Sequence, residues 1–242
     1  MGKDRDQIIG SFVAEVETAA GGPLRSIVLY GSGASGEYVP GRSDLNFLLV
    51  ADPITRSLLA GLQKRMVGWH KRGIATPLVV DQQFLVSSTD SYPLEILGML
   101  SAYKILGGVD PFQGLEPAPK DVRLQAEREA KAKALLLRRG YLECCGRHSG
   151  LVAYLTGAVP AIEAILRGML FLRGGDWRLC GAGLRAACAR DLAIDCSVLE
   201  MLQDVHYGRA KPTRQSLLAL FDRTMDLLDL LSRQLDQTAA AG

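Results

Sequence analysis

The sequence predicts an α+β protein, a small mixed-sheet core followed by an all-α helical bundle, and three observations point that way. The first half carries two β-favouring runs, Ser26-Ile-Val-Leu-Tyr30 and Leu45 to Val50, set among helical periods. The second half shows long helical periods only. Between the halves, Gly114 to Pro119 contains Pro117 and Pro119, which interrupt regular structure and mark a boundary between a domain at 1–116 and one at 117–242.

Taken in order, Asp6 to Ala20 places Ile8, Ile9, Phe12, Val13 and Val16 at helical spacing, and Gly21-Gly22-Pro23 stops that helix. Leu24 to Tyr30 and Asp44 to Val50 read as buried strands. The segment between them, Gly31 to Ser43, is too rich in glycine and too interrupted by Pro40 for a long helix. Thr55 to Arg72 reads as a helix with Leu58, Leu59, Leu62, Met66 and Trp69 on one side, and Pro77 to Val86 as a third strand. Ser91 to Leu97 reads as a short fourth strand leading into Gly98 to Leu106, which Gly107-Gly108 ends. Beyond the boundary the helices are Asp121 to Cys145, Leu151 to Leu172, Gly183 to Ala193, Cys196 to His206 and Thr213 to Gln237. The last carries an apolar stripe of Leu217, Leu218, Phe221, Met225, Leu228, Leu231 and Leu235, the pattern of a bundle core.

Composition narrows the function classes. The 28 Lys and Arg nearly balance the 26 Asp and Glu, so no global field holds the chain on nucleic acid or on an anionic membrane. Cys144, Cys145, Cys180, Cys188 and Cys196 form no CxxC pair, and His70, His148 and His206 share no ligand spacing, so reduced thiols are expected and a zinc site is not. Met1 to Gly10 lacks the apolar core of a secretory signal, which makes the cytoplasm the expected location. Leu151 to Leu172 is apolar but carries Pro160, Glu163 and Arg167, as a bundle helix does and a bilayer span rarely does.

The chemistry concentrates after the first strand. Gly31-Ser32 lets the chain turn at a residue without a Cβ, presenting backbone N–H groups and a hydroxyl to a phosphate. The second strand opens Ser43-Asp44-Leu45-Asn46, and strand alternation sends Asp44 and Asn46 to one face. Two oxygen ligands so spaced can hold a hard cation that also binds phosphate.

The stretch Leu29 to Val50, an apolar strand, Gly-Ser, a spacer and then Asp-apolar-Asn in an apolar strand, resembles the signature of the DNA polymerase beta-like nucleotidyltransferase superfamily. Bacterial predicted nucleotidyltransferases and aminoglycoside nucleotidyltransferases are the most similar by pattern, and the Pro-Leu-Glu-Ile segment at Pro93 also resembles the predicted members. The resemblance implies transfer of a nucleoside monophosphate from a nucleoside triphosphate to an acceptor hydroxyl, with Mg²⁺ or Mn²⁺. Gly31 and Ser32 would hold phosphate, with Asp44, Asn46 and Glu95 at the metal. Asn46 stands where the family has its second acid, and an amide lacks the charge that separates two dications. The third acid has two candidates, Glu95 and Asp81, of which Glu95 is preferred, although acids at strand ends commonly cap the next element.

Three further readings remain. A protein with this fold and a decayed site would bind nucleotide without turnover. Gly31, Gly33 and Gly36 also spell G-x-G-x-x-G with Asp52 downstream, a minor dinucleotide-binding alternative that Pro40 and Gly41 disfavour by shortening the following helix. Arg42 neighbours Asp44 and is placed to touch triphosphate oxygens, whereas Arg209, Lys211 and Arg214 read as a solvated run and Tyr38 as a half-buried loop aromatic.

Overall fold

The computed structural model describes residues 5–240. The chain divides into two compact units, Met1–Thr89 with Met99–Glu116, and Asp90–Gly98 with Pro117–Gly242.

In the first unit α1 (Arg5–Ala20) leads into β1 (Leu24–Tyr30), α2 (Ser32–Ser35), β2 (Asn46–Ala51), α3 (Arg56–Gln63), α4 (Met66–His70), β3 (Leu78–Val80) and α5 (Gln82–Ser87). After α6 (Pro93–Ser101), β4 (Tyr103–Gly108) completes a four-stranded sheet ordered β3-β2-β1-β4. It is mixed: β1 runs antiparallel to β2 and β4, while β2 and β3 are parallel. Period-two alternation gives each face its own core. Leu45, Phe47 and Leu49 bury with Phe12 of α1, Trp69 and Ile74, and Phe12 stacks on Phe47 at 3.8 Å between ring centroids. Leu48 and Val50 point the other way, with Val28, Leu85 and Phe112.

Several local expectations need correction. The helix expected over 55–72 breaks at Lys64-Arg65 into α3 and α4. The third strand is cut to Leu78–Val80 because Asp81 accepts a hydrogen bond from Phe84 N at 2.7 Å and so caps α5. Ser91 to Leu97 is not a strand. Pro93, with its fixed φ, opens α6, and Leu94 and Leu97 bury in the helical core of the second unit. The strand comes after that helix, and its glycine pair ends β4 rather than a helix. The dinucleotide-binding alternative falls, since it needs parallel strands joined by a long helix. Here β1 and β2 are antiparallel, and α2 has four residues before Gly36 ends it at φ 90°.

The second unit is built from α7 (Pro119–Glu143), α8 (His148–Leu172), α9 (Gly181–Leu192), α10 (Ser197–His206) and α11 (Arg214–Ala240). Ala126, Ala130 and Ala134, four residues apart on α7, are buried small side chains that let the neighbouring helices approach. Gly140 is a close-approach point, because a Cβ there would lie 2.5 Å from the ring of Tyr154. Among the described residues α8 is the one helix long and apolar enough to cross a membrane. Its two charged side chains have partners within the unit: buried Arg167 donates to Trp177 O and Leu179 O at 2.7 and 2.8 Å, and Glu163 accepts from Gln203. The five cysteines are free thiols.

Candidate active site

The candidate site starts where β1 ends. Gly31 has φ 71° and ψ −146°, a backbone state essentially restricted to glycine. Its N–H donates to Ala102 O at 3.0 Å, and its carbonyl accepts from Ala34 N and Ser35 N at 2.9 and 3.0 Å. The N–H groups of Ser32 and Gly33 therefore open α2 without a carbonyl partner inside it. Gly33 is packed tight: a Cβ there would lie 2.9 Å from Leu45 Cδ2.

Asn46 begins β2 and pairs in register with Tyr30. Its Nδ2 lies 3.7 Å from where a Cβ on Gly31 would sit, so the structure brings the glycine turn and Asn46 together. Beside them, burial raises the Tyr30 phenol above its ordinary 10.0. Asp44 does not share the strand as alternation suggested. It is exposed and precedes the paired backbone, which begins with Leu45 bridging Ile74. Asp44 instead borders a cavity of about 460 Å³ together with Tyr38, Arg42, Lys71 and Arg72. Tyr38 is half-buried against the α1-side core.

The cavity wall is fixed from α1. Glu15 takes both guanidinium ends of Arg72, at 2.7 and 3.0 Å, and the indole N–H of Trp69 at 2.8 Å. The Arg72 hydrogen bond, helped by Trp69, holds the Glu15 carboxyl below its ordinary 4.5, against a smaller opposing effect of burial. A depressed folded-state value contributes stability above the unfolded pKa that is lost as pH falls through the folded one. Stability of the wild type is thus expected to drop on acidification below about pH 4.5, and part of that drop to vanish in Glu15→Gln. Identical acid slopes in urea denaturation series of the two proteins would refute this.

The two candidates for a third acid lie elsewhere. Asp81 caps α5. Glu95 is on α6, in the second unit, where Gln125 Nε2 donates to it at 2.7 Å. The β2–β3 register, bracketed by Leu45↔Ile74 and Leu48↔Leu78, sets Ala75 and Thr76 beside Asn46, and no acid occurs between Arg72 and Val80. Of the basic run at Pro212, Arg209 pairs with Asp204 at 2.7 Å and Arg214 donates to Gly146 O. Lys71, Thr76 and the Glu15–Arg72 pair escaped the sequence reading, because only the fold sets them beside the 38–44 loop and β2.

The donor set decides what metal chemistry fits. No group of three or more His, Cys, Asp and Glu gathers among the described residues. One carboxylate and one amide do not suit a protein-held pair of dications, whose mutual repulsion needs bridging acids. They do suit a single Mg²⁺ arriving with a triphosphate, since that ion needs only one or two protein carboxylates.

No family model matches the chain, and a search of curated proteins finds no match. Among solved structures, the spectinomycin adenyltransferase AAD(9) from Enterococcus faecialis, crystallised with ATP and spectinomycin, superposes with a TM-score of 0.59 at 12% identity. The match covers 93% of this chain and 99% of that one. At that identity the likeness is one of fold alone: an α+β part with a small mixed sheet followed by a helical region.

Proposed function

We propose that the protein is a nucleotidyltransferase-like protein that binds a nucleoside triphosphate on its first unit. The observation that supports this reading is the turn at Gly31, whose glycine-only backbone sits against Asn46, the two positions that the resemblance of Leu29 to Val50 assigns to phosphate and metal. Ser32 and Gly33 N–H groups hold phosphate oxygens, Arg42 adds a cation on the preceding loop, and Asp44 is the carboxylate ligand of a magnesium carried by the nucleotide. That ion, when bound, offsets phosphate charge. In the transfer reaction of this fold, an acceptor hydroxyl oxygen attacks the α-phosphorus, a new P–O bond forms, and pyrophosphate leaves. The free thiols suit a reducing compartment, and we place the protein in the cytoplasm.

One observation favours binding over turnover. Asn46 removes the second acid, and no carboxylate stands beside it on β1 or β3. The reading that fits is a nucleotide-binding protein in which transfer has become slow or has been lost, with the phosphate turn intact. Calorimetric titration with ATP and Mg²⁺ tests it: binding is expected, weakened about 10-fold in Asp44→Ala by loss of a charge-assisted interaction. Failure of millimolar ATP to bind the natural protein would end this reading.

A further inference from the structure

We propose that the cavity at the α7–α8 turn, wholly within the second unit, binds a small organic carboxylate with an apolar body. It holds about 240 Å³, below the range of drug-sized sites, so the ligand that fits it is small. Buried Cys144, Leu151 and Leu217 form its floor. Tyr141, tilted on Phe221 with ring centroids 4.9 Å apart, and Leu142 carry the apolar lining outward. Leu142 is 73% exposed, so the protein does not itself close over this lining.

The ionisable part of the mouth is basic. Arg147, His148 and Arg214 border the cavity at exposed positions, and among the described residues no Asp or Glu lines it. None of the three takes part in an ion pair among the described residues. Glu143, next to Cys144 in the chain, is committed to Arg139 and to the Tyr154 hydroxyl. The helices α8 and α11 begin at the cavity with His148 and Arg214, and neither has an acid in its first turn, so their N-termini add to the positive field. Both guanidinium groups are anchored on the turn: Arg147 Nε donates to Cys144 O at 3.3 Å, and Arg214 donates to Gly146 O. Each keeps further N–H donors for a ligand. Such forks match a single carboxylate, while the apolar floor takes the body of the molecule. A bare phosphate would leave that floor uncovered.

The inference goes beyond nucleotide binding and does not rest on it. It is tested by calorimetric titration of the full chain with octanoate, with octanol as the neutral probe of equal length. Octanoate is expected to reach half-saturation below about 1 mM, and octanol to bind at least about 5-fold more weakly. Leu142→Glu puts a carboxylate into the lining at an exposed position and is expected to weaken octanoate binding about 5-fold or more. Leu135→Glu, 64% exposed on α7 and outside the lining, is expected to leave binding unchanged. Arg147→Gln is expected to weaken it about 5-fold. No octanoate binding at about 5 mM, octanol binding as tightly as octanoate, or equal effects of the two glutamate substitutions overturns the proposal. Failure to bind magnesium–ATP would sink the nucleotide reading alone.

Discussion

Gly108→Ala is expected to destabilise the first unit by about 4 kcal/mol or more, among the largest effects a single methyl can have. Gly108 is the last residue of β4, paired with Ser26 of β1, and holds φ +80°. A Cβ there would penetrate the Arg25 carbonyl oxygen and lie 2.8 Å from the Arg25 carbonyl carbon and 3.0 Å from Ser26 Cα. All of these are backbone atoms, so no rotamer change relieves the clash. The same close approach carries the hydrogen bond from Ser26 Oγ to Val109 O at 2.6 Å, which would be lost as well. Gly10→Ala in α1 is the matched control: its Cβ meets nothing within 4 Å, and helix propensity alone should raise stability by up to about 1 kcal/mol. Chemical denaturation of the three proteins decides it, and a Gly108→Ala protein within about 1 kcal/mol of wild type would contradict so close an approach of β4 to the Arg25 backbone.

Asn46→Asp is expected to raise nucleotidyl transfer by about 10²-fold or more, because a second carboxylate would offset the repulsion between two divalent cations, which in turn neutralise the negative charge of the transition state. The substitution is small, and Asn46 is only partly buried at the start of β2, so folding should be unaffected. Pyrophosphate release and incorporation of labelled nucleotide, with Mg²⁺ and then Mn²⁺, give the readout. If the natural protein is already active and Asp44→Ala abolishes it, the protein is an enzyme that works with one acid and an amide. If Asn46→Asp binds ATP yet stays as slow as the natural protein, the second acid was not what limited the site. The acid missing from the Ala75-Thr76 segment would then be the deficit, and Thr76→Glu in the Asn46→Asp background the next variant to assay.

Elements with a long period were legible from the residues. The α1 pattern at Ile8, Phe12 and Val16 and the α11 stripe ending at Leu235 bury as their spacing requires. Short apolar runs were not: Pro93 to Leu97 satisfies a strand and a helix equally, and only packing of Leu94 and Leu97 in the helical core selects the helix. Gly31 and Asn46 could be brought together on paper because antiparallel neighbours of known spacing leave little freedom. The cavity beyond Asp44 could not, since Arg42 and Lys71 are 29 positions apart and meet only through the fold. Asp81 has a local task, capping a helix, and Glu95 a long-range one, accepting from Gln125 of another helix, and neither hydrogen bond is visible in composition.

The excursion of Asp90–Gly98 into the helical unit bears on how this molecule can be divided. Leu94 fills the space above Gly168, where a Cβ would lie 2.6 Å from Leu94 Cδ2, and its N–H is bonded by Gln125 Oε1 at 2.8 Å. A single scission near residue 117 would consequently leave the carboxy-terminal fragment with an uncapped notch over Gly168 and strand its plug on the other piece. The two halves are interlaced in sequence, so neither can be inherited, exchanged or excised as one uninterrupted stretch without leaving part of itself behind.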